Sequence, residues 1–231
     1  MAMEGLSTRR AIVAAGGLGA AALLAAPALS AETKEVSAVE DLMREHGVLR
    51  RILVVYRETG AALRNGAAAS LDAGALGAAA ALFKTFGEDY HERKLEEQHI
   101  FPTVERFGGA AARLVPTLLA QHDRGREINA FITGACAHGR VRTGDETHLA
   151  DALSAFARMY EAHTAFEDTV VFQAWRNGLS AKSLDRAGDL FEDIERDTFK
   201  GDGFDKAVEQ IAAIEQRLGL TDIARYTAPP T

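Results

Sequence analysis

Two stretches of this chain repeat one another, each placing a histidine ahead of a pair of carboxylates. The first is His91-Glu92-Arg93-Lys94-Leu95-Glu96-Glu97-Gln98-His99-Ile100-Phe101-Pro102. The second is His163-Thr164-Ala165-Phe166-Glu167-Asp168-Thr169-Val170-Val171-Phe172-Gln173. Aligning Phe101 with Phe172 lays Glu96 on Glu167, Glu97 on Asp168 and Ile100 on Val171. Imidazole and carboxylate donors together suit a borderline transition metal such as iron or manganese. Two such boxes suggest a two-metal site held between helices.

The spacing within each box constrains the geometry. His163 and Glu167 are four residues apart and stack on one helical face, about 40° from each other. Phe156, Tyr160, Val170, Val171 and Ala174 share that face, so the pair sits on a core stripe, where polar groups are expensive unless partnered or coordinated. His91 and Glu96 are five apart, which in a regular α-helix separates them by about 140°. Either the extra residue is absorbed as a π-bulge, a feature common at functional sites, or the ligand is Glu97 or Glu92. The internal repeat favours Glu96. Two further histidines interrupt apolar stripes: His46 between Leu42 and Leu49, and His122 between Leu118-Leu119 and Phe131-Ile132. A lone histidine on such a stripe is ordinarily a satisfied core residue. Four of them, with two carboxylates, favour metal ligation. The candidate ligands are therefore His46, His91, Glu96, His122, His163 and Glu167. His99 is assigned to the surroundings of the site or to the surface, and His138 and His148 to solvent.

These side chains need four helices to carry them. Apolar residues at three-four spacing predict helices from Val36 to about Asn65, Leu76 to Phe107, Ala110 to Ala137 and Asp145 to Arg176. Asn65-Gly66, Gly108-Gly109 and Asn177-Gly178 punctuate the runs, and Pro102 should kink or shorten the second. Four long helices with short connections make an antiparallel bundle over 36–177. Ser180 is a candidate cap for two shorter amphipathic helices spanning 180–219, which pack across the bundle or against a second subunit, so a homodimer is one expectation. Residues 220–231, with Pro229-Pro230, read as a disordered tail. The fold class is all-α.

Composition agrees. The chain has 231 residues, 47% of them hydrophobic, and only five prolines, enough for one well-packed helical domain. Its net charge of −7 is spread along the helices, and no basic patch marks a nucleic-acid partner. The single cysteine, Cys136, excludes an internal disulfide and reads as a small core residue. Residues 1–31 have a different character. Arg9-Arg10 precede an Ala, Gly and Leu run ending in Pro27-Ala28-Leu29-Ser30-Ala31, a twin-arginine-like signal peptide. The competing reading is an uncleaved membrane anchor, less favoured because the run is short and glycine-rich for a spanning helix, which needs about 20 apolar residues. The expectation is export by the twin-arginine machinery to the periplasm or beyond, a route taken by folded, cofactor-loaded cargo.

With these residues in view, the chain resembles the hemerythrin-like, or HHE, family. The resemblance rests on Arg44-Glu45-His46-Gly47-Val48-Leu49-Arg50, the box ending Glu96-Glu97-Gln98-His99-Ile100-Phe101-Pro102, Ala120-Gln121-His122-Asp123, and His163 to Glu167-Asp168 leading to Val171-Phe172. It covers about residues 36 to 176. It implies a four-helix bundle holding two non-haem irons, bridged by carboxylates and an oxygen species. Three departures stand out. Oxygen-carrying members have a second histidine one turn after that of the third helix, where this chain has Arg126. One residue is inserted after His91, and Gln173 replaces an expected proline. With four histidines and two glutamates the site is ligand-poor unless water, Tyr56, His99 or another carboxylate contributes.

The functional expectation is an exported di-iron protein that binds or senses dioxygen, peroxide or nitric oxide. An alternative is a di-iron peroxidase, catalase or nitric-oxide detoxifying enzyme, to which Arg126 would offer a cation for bound peroxide. A third reading is a metal-free helical interaction domain. No phosphate loop, nucleophile triad or dinucleotide fingerprint accompanies the site.

Overall fold

The computed structural model describes residues 36–231 and is all-helical over them. The predicted export signal lies outside the described residues. No helix among them is long and apolar enough to cross a membrane.

Helix α1, Ala38–Arg64, starts where the Ser37 hydroxyl accepts from the Glu40 amide, with Glu40 and Asp41 in its first turn. Both features stabilise a helix N-terminus. It stops at Asn65-Gly66, where Gly66 takes φ 78°, a left-handed turn that glycine adopts without steric cost. Helix α2 is one continuous rod in three segments: Ala73–Leu82 is α-helical, Phe83–Ile100 is wound as a π-helix, and Phe101–Phe107 returns to α. Pro102 therefore falls just past the π segment, near the N-terminus of a fresh α-turn, where a missing N–H costs little. Helix α3 is Gly109–Ala135. Helix α4 repeats the design of α2: Glu146–Phe166 is α, Glu167–Val171 is π, and Phe172–Gly178 is α again.

These four helices run antiparallel in chain order, with α1 against α4, α2 against α3 and α3 against α4. Their shared interior is aromatic. Phe156 meets Phe83 and Tyr56 edge to face with centroids 4.8 and 5.2 Å apart, and it stacks on Tyr160 at 4.5 Å. Burying each such side chain contributes about 1.5–3 kcal/mol. Cys136 belongs to this core, and burial pushes its thiol up to about 11.

Helices α5, Ala181–Phe199, and α6, Gly203–Leu218, are capped by Ser180 and Asp202. They form a hairpin over α1 and α2. Phe191, Ala207, Ile211 and Ile214 join the bundle's own hydrophobic core. Trp175 stacks on Phe191, and Arg51 forks onto Glu215. Packing across the bundle, one of the two expected roles, is what this hairpin does. The tail read as disordered carries a short 3₁₀ turn, Ile223–Tyr226, where Arg225 pairs with Glu58 at 3.1 Å.

Candidate metal centre

Each bundle helix places one histidine in the interior: His46 from α1, His91 from α2, His122 from α3 and His163 from α4. All four are buried. They meet in two pairs, His46 Nε2 lying 3.0 Å from His91 Nε2 and His122 Nε2 lying 3.1 Å from His163 Nε2. Glu96 stands between the pairs. Its Oε1 is 3.3 Å from His91 Nε2, and its Oε2 is 3.3 Å from His122 Nε2. Glu167 Oε2 lies 3.0 Å from His163 Nε2 and 3.6 Å from His46 Nε2. The structure thus brings all six predicted ligands together. Glu96, His122, His163 and Glu167 form one donor group, and His46, His91 and Glu96 form a second that shares Glu96.

The π winding explains how the five-residue spacing works. A π-helix bonds i to i+5, so residues five apart stack. Phe101 N–H donates to Glu96 O, and Phe172 N–H donates to Glu167 O in the second box. In α2 this turns His91 and Glu96 onto one row facing the interior. Glu92 and Glu97, also five apart, form the next row and face α3.

The outer ring nitrogens decide the chemistry of the inner ones. His46 Nδ1 meets Asp168 Oδ1 at 2.7 Å, and His91 Nδ1 meets Glu45 Oε2 at 2.6 Å. His122 Nδ1 meets Glu97 Oε1 at 2.9 Å, and His163 Nδ1 meets the Gln121 amide oxygen at 3.0 Å. Each partner is an acceptor, so each Nδ1 carries the hydrogen. The four Nε2 atoms then face one another and two carboxylates. The closest Nε2 to carboxylate separations run from 3.0 to 3.6 Å. All four side-chain oxygens of Glu96 and Glu167 are buried without a hydrogen-bond partner. Six converging metal-type side chains with unpartnered buried carboxylate oxygens call for positive charge, which a metal ion could supply.

Electrostatics within the cluster show the same demand. Against the cost of burial, Glu96 and Glu45 hold His91 well above the usual imidazole range. Against burial too, Glu92, Glu96 and Glu97 push His122 up to about 10. Burial, with His122 beside it, pushes His163 down to about 3. Burial and the charge of Glu96 push Glu167 well up, whereas His91 and His122 keep Glu96 well below the usual carboxylate range. Without metal, protons take the cation's place. The donors fit metal ions.

Residues 37–175 match the model of the hemerythrin HHE cation-binding domain. The chain belongs to this family. It is also 41% identical over 196 residues to an uncharacterised protein of Mycobacterium tuberculosis, covering 83% of this chain and 74% of that protein. An uncharacterised protein of Mycobacterium bovis matches to the same extent. No solved structure matches the chain.

As a hemerythrin HHE domain, the chain departs from expectation in its supporting residues. Tyr56 does not reach the cluster, because its hydroxyl donates to Asn129 Oδ1 at 2.9 Å. His99 packs against Phe191, away from the centre, and His138 and His148 are exposed. Arg126 does not present a free cation, being engaged by Glu92, Glu97 and Asp123. Sequence reasoning did not assign Glu45, Gln121, Tyr90 and Tyr160. Tyr90 donates to Glu45 Oε1 at 2.9 Å and Tyr160 to Glu92 Oε1 at 2.7 Å. Their signal in the sequence was faint: polar side chains adjoining the candidate ligands, or tyrosines at core positions.

Proposed function

We propose that this protein is an exported hemerythrin-like domain that holds two non-haem irons and binds or senses dioxygen, peroxide or nitric oxide. The observation that carries the reading is the pair of donor groups sharing Glu96, each built from two facing Nε2 atoms. Bound iron would supply an open coordination position and a redox couple for a small ligand. Manganese would suit the same nitrogen and oxygen donors.

The chain's own residues prepare the site for that role. Glu45, Asp168, Glu97 and Gln121 fix each imidazole's tautomer and angle, and a carboxylate partner makes the ring a stronger donor. Phe172 stacks on His46 and Phe101 on His122, with centroids 5.3 and 5.6 Å apart. These rings shield the imidazoles from water. Export is supported by Arg9-Arg10 ahead of an apolar run.

The test is metal content and the ultraviolet–visible spectrum of the mature protein, before and after dioxygen, peroxide or nitric oxide. The expected result is two irons per chain, one for each donor group, with charge-transfer absorption that responds to one of these molecules. Both should vanish in a His91→Ala/His163→Ala variant. Absence of bound metal after iron-replete expression would refute the reading and leave a helical interaction domain. Sustained turnover of peroxide or nitric oxide would move the assignment from carrier or sensor to enzyme.

A further inference from the structure

Behind the two inner donor groups lies a third. The π winding of α2 sets Glu92 and Glu97 side by side on its second row, and with His122 Nδ1 they form a further set of close metal-type donors. Glu92 is buried and Glu97 half-buried. An internal cation sits there. Arg126 Nη2 lies 3.1 Å from Glu92 Oε2 and contacts Glu97 Oε1, while Nη1 lies 3.0 Å from Asp123 Oδ1 at the outer lip. Arg126 Nε is buried with no acceptor at all. A guanidinium that leaves one N–H unsatisfied is held by charge rather than by a complementary hydrogen-bonding frame.

We propose that Arg126 fills a third cation seat made by Glu92, Glu97 and His122, and so limits the domain to its two inner metal ions. The inference rests on the metal-centre reading above. Three observations carry it. The donor types match those of the inner groups. The seat shares His122 with them, facing its other ring nitrogen. And the seated group is a cation surrounded by three carboxylates. Without Arg126, a divalent ion could take the place of the guanidinium, bound by the Glu92 and Glu97 carboxylates and His122 Nδ1. The Nδ1 proton, now donated to Glu97, would leave to solvent, and the imidazole would bridge the third ion to the inner group. Arg126 thereby also positions: it holds Glu97 on Nδ1 and keeps the Nε2 lone pair of His122 turned inward.

The test is equilibrium dialysis of the full mature chain against Mn²⁺, with bound metal measured by elemental analysis and manganese paramagnetic resonance. Wild type should saturate at two ions per chain, one for each inner donor group. Arg126→Ala should take up one more ion, more weakly held and coupled magnetically to its neighbour. Arg126→Ala/Glu92→Gln should return to the wild-type number, and Arg126→Lys should never leave it. An Arg126→Ala isotherm identical to wild type would overturn the proposal, as would an extra ion in Arg126→Lys. If Arg126→Ala fails to fold by circular dichroism, Arg126→Gln is scored in its place. A wild type that binds no ion refutes the inner centre instead. The third seat is then judged by whether the neutral variant binds one ion more than wild type does.

Discussion

Replacing Glu167 by methionine should stabilise the metal-free protein while removing its ability to be stabilised by metal. Both oxygens of Glu167 are buried without a hydrogen-bond partner, and the side chain is shut off from solvent. A buried polar group left unsatisfied costs about 1–3 kcal/mol, and an unbranched apolar side chain of similar length relieves that cost with little repacking. For a chain of this size each kcal/mol moves Tm by about 2–4 °C, so the metal-free Tm should rise by about 2–12 °C. Wild type should behave in the opposite way. Metal present at about a thousand times its dissociation constant stabilises by about 4 kcal/mol, which is about 8–16 °C. The assay is a pair of thermal melts by circular dichroism, one after exhaustive chelation and one with saturating Mn²⁺, for wild type and Glu167→Met. The expected pattern is a crossover, with the variant melting higher without metal and lower with it. A metal-free variant that melts several degrees below wild type would refute the reasoning, since Glu167 would then be a satisfied structural group rather than an idle ligand.

Other substitutions probe the supports of the site and the fold. Glu45→Gln keeps an acceptor on His91 Nδ1 but removes its charge, and metal affinity measured by chelator competition should fall by about 10–100-fold with little change in helicity. Gly125→Ala would drive a methyl group into the Tyr160 hydroxyl, separating it from Glu92. Overpacking of this kind costs about 1–3 kcal/mol, to be read as a lowered urea midpoint. Trp175→Ala empties a buried position stacked on Phe191 and should cost about 3–5 kcal/mol by the same measurement. By contrast, Arg57→Ala removes only an exposed pair with Glu161, and should change stability by less than about 1 kcal/mol.

The helices were legible because their apolar stripes and their stops are local properties. Asn65-Gly66 and Gly108-Gly109 end helices where the composition says they should, and Ser180 caps α5 as its type suggests. The six inner donors could be read for a related reason: a charged or imidazole side chain on an apolar stripe contradicts its neighbours and asks for a partner. Which partner it finds is not a local property. Glu45 precedes His46 in sequence yet serves His91 on another helix, while His46 turns to Asp168 on α4. Side chains one residue apart point about 100° from each other on a helix, so neighbours in sequence end up serving different neighbours in space. The extent of π winding was also hidden. One extra residue between His91 and Glu96 predicts a single bulge, whereas the structure spreads the wide helix from Phe83 to Ile100.

The hairpin of α5 and α6 shows where the working unit ends. The family match stops at residue 175, and a fragment cut there would contain every donor. It would lack the wall behind them. Phe199 packs edge to face on Tyr90 at 5.1 Å, and Lys94 reaches Thr198 at 2.8 Å. Glu195 ties the turn between the two helices by accepting from the Gly203 and Phe204 amides. Remove this cover, and water reaches Tyr90 and then the Glu45 carboxylate that it supports against His91. The local dielectric would rise and the bond that sets the tautomer of His91 would face competition from solvent. The boundary drawn by family likeness is therefore not the boundary of the solvent-protected body. The electronic character of a ligand on α2 is set in part by helices that contribute no ligand.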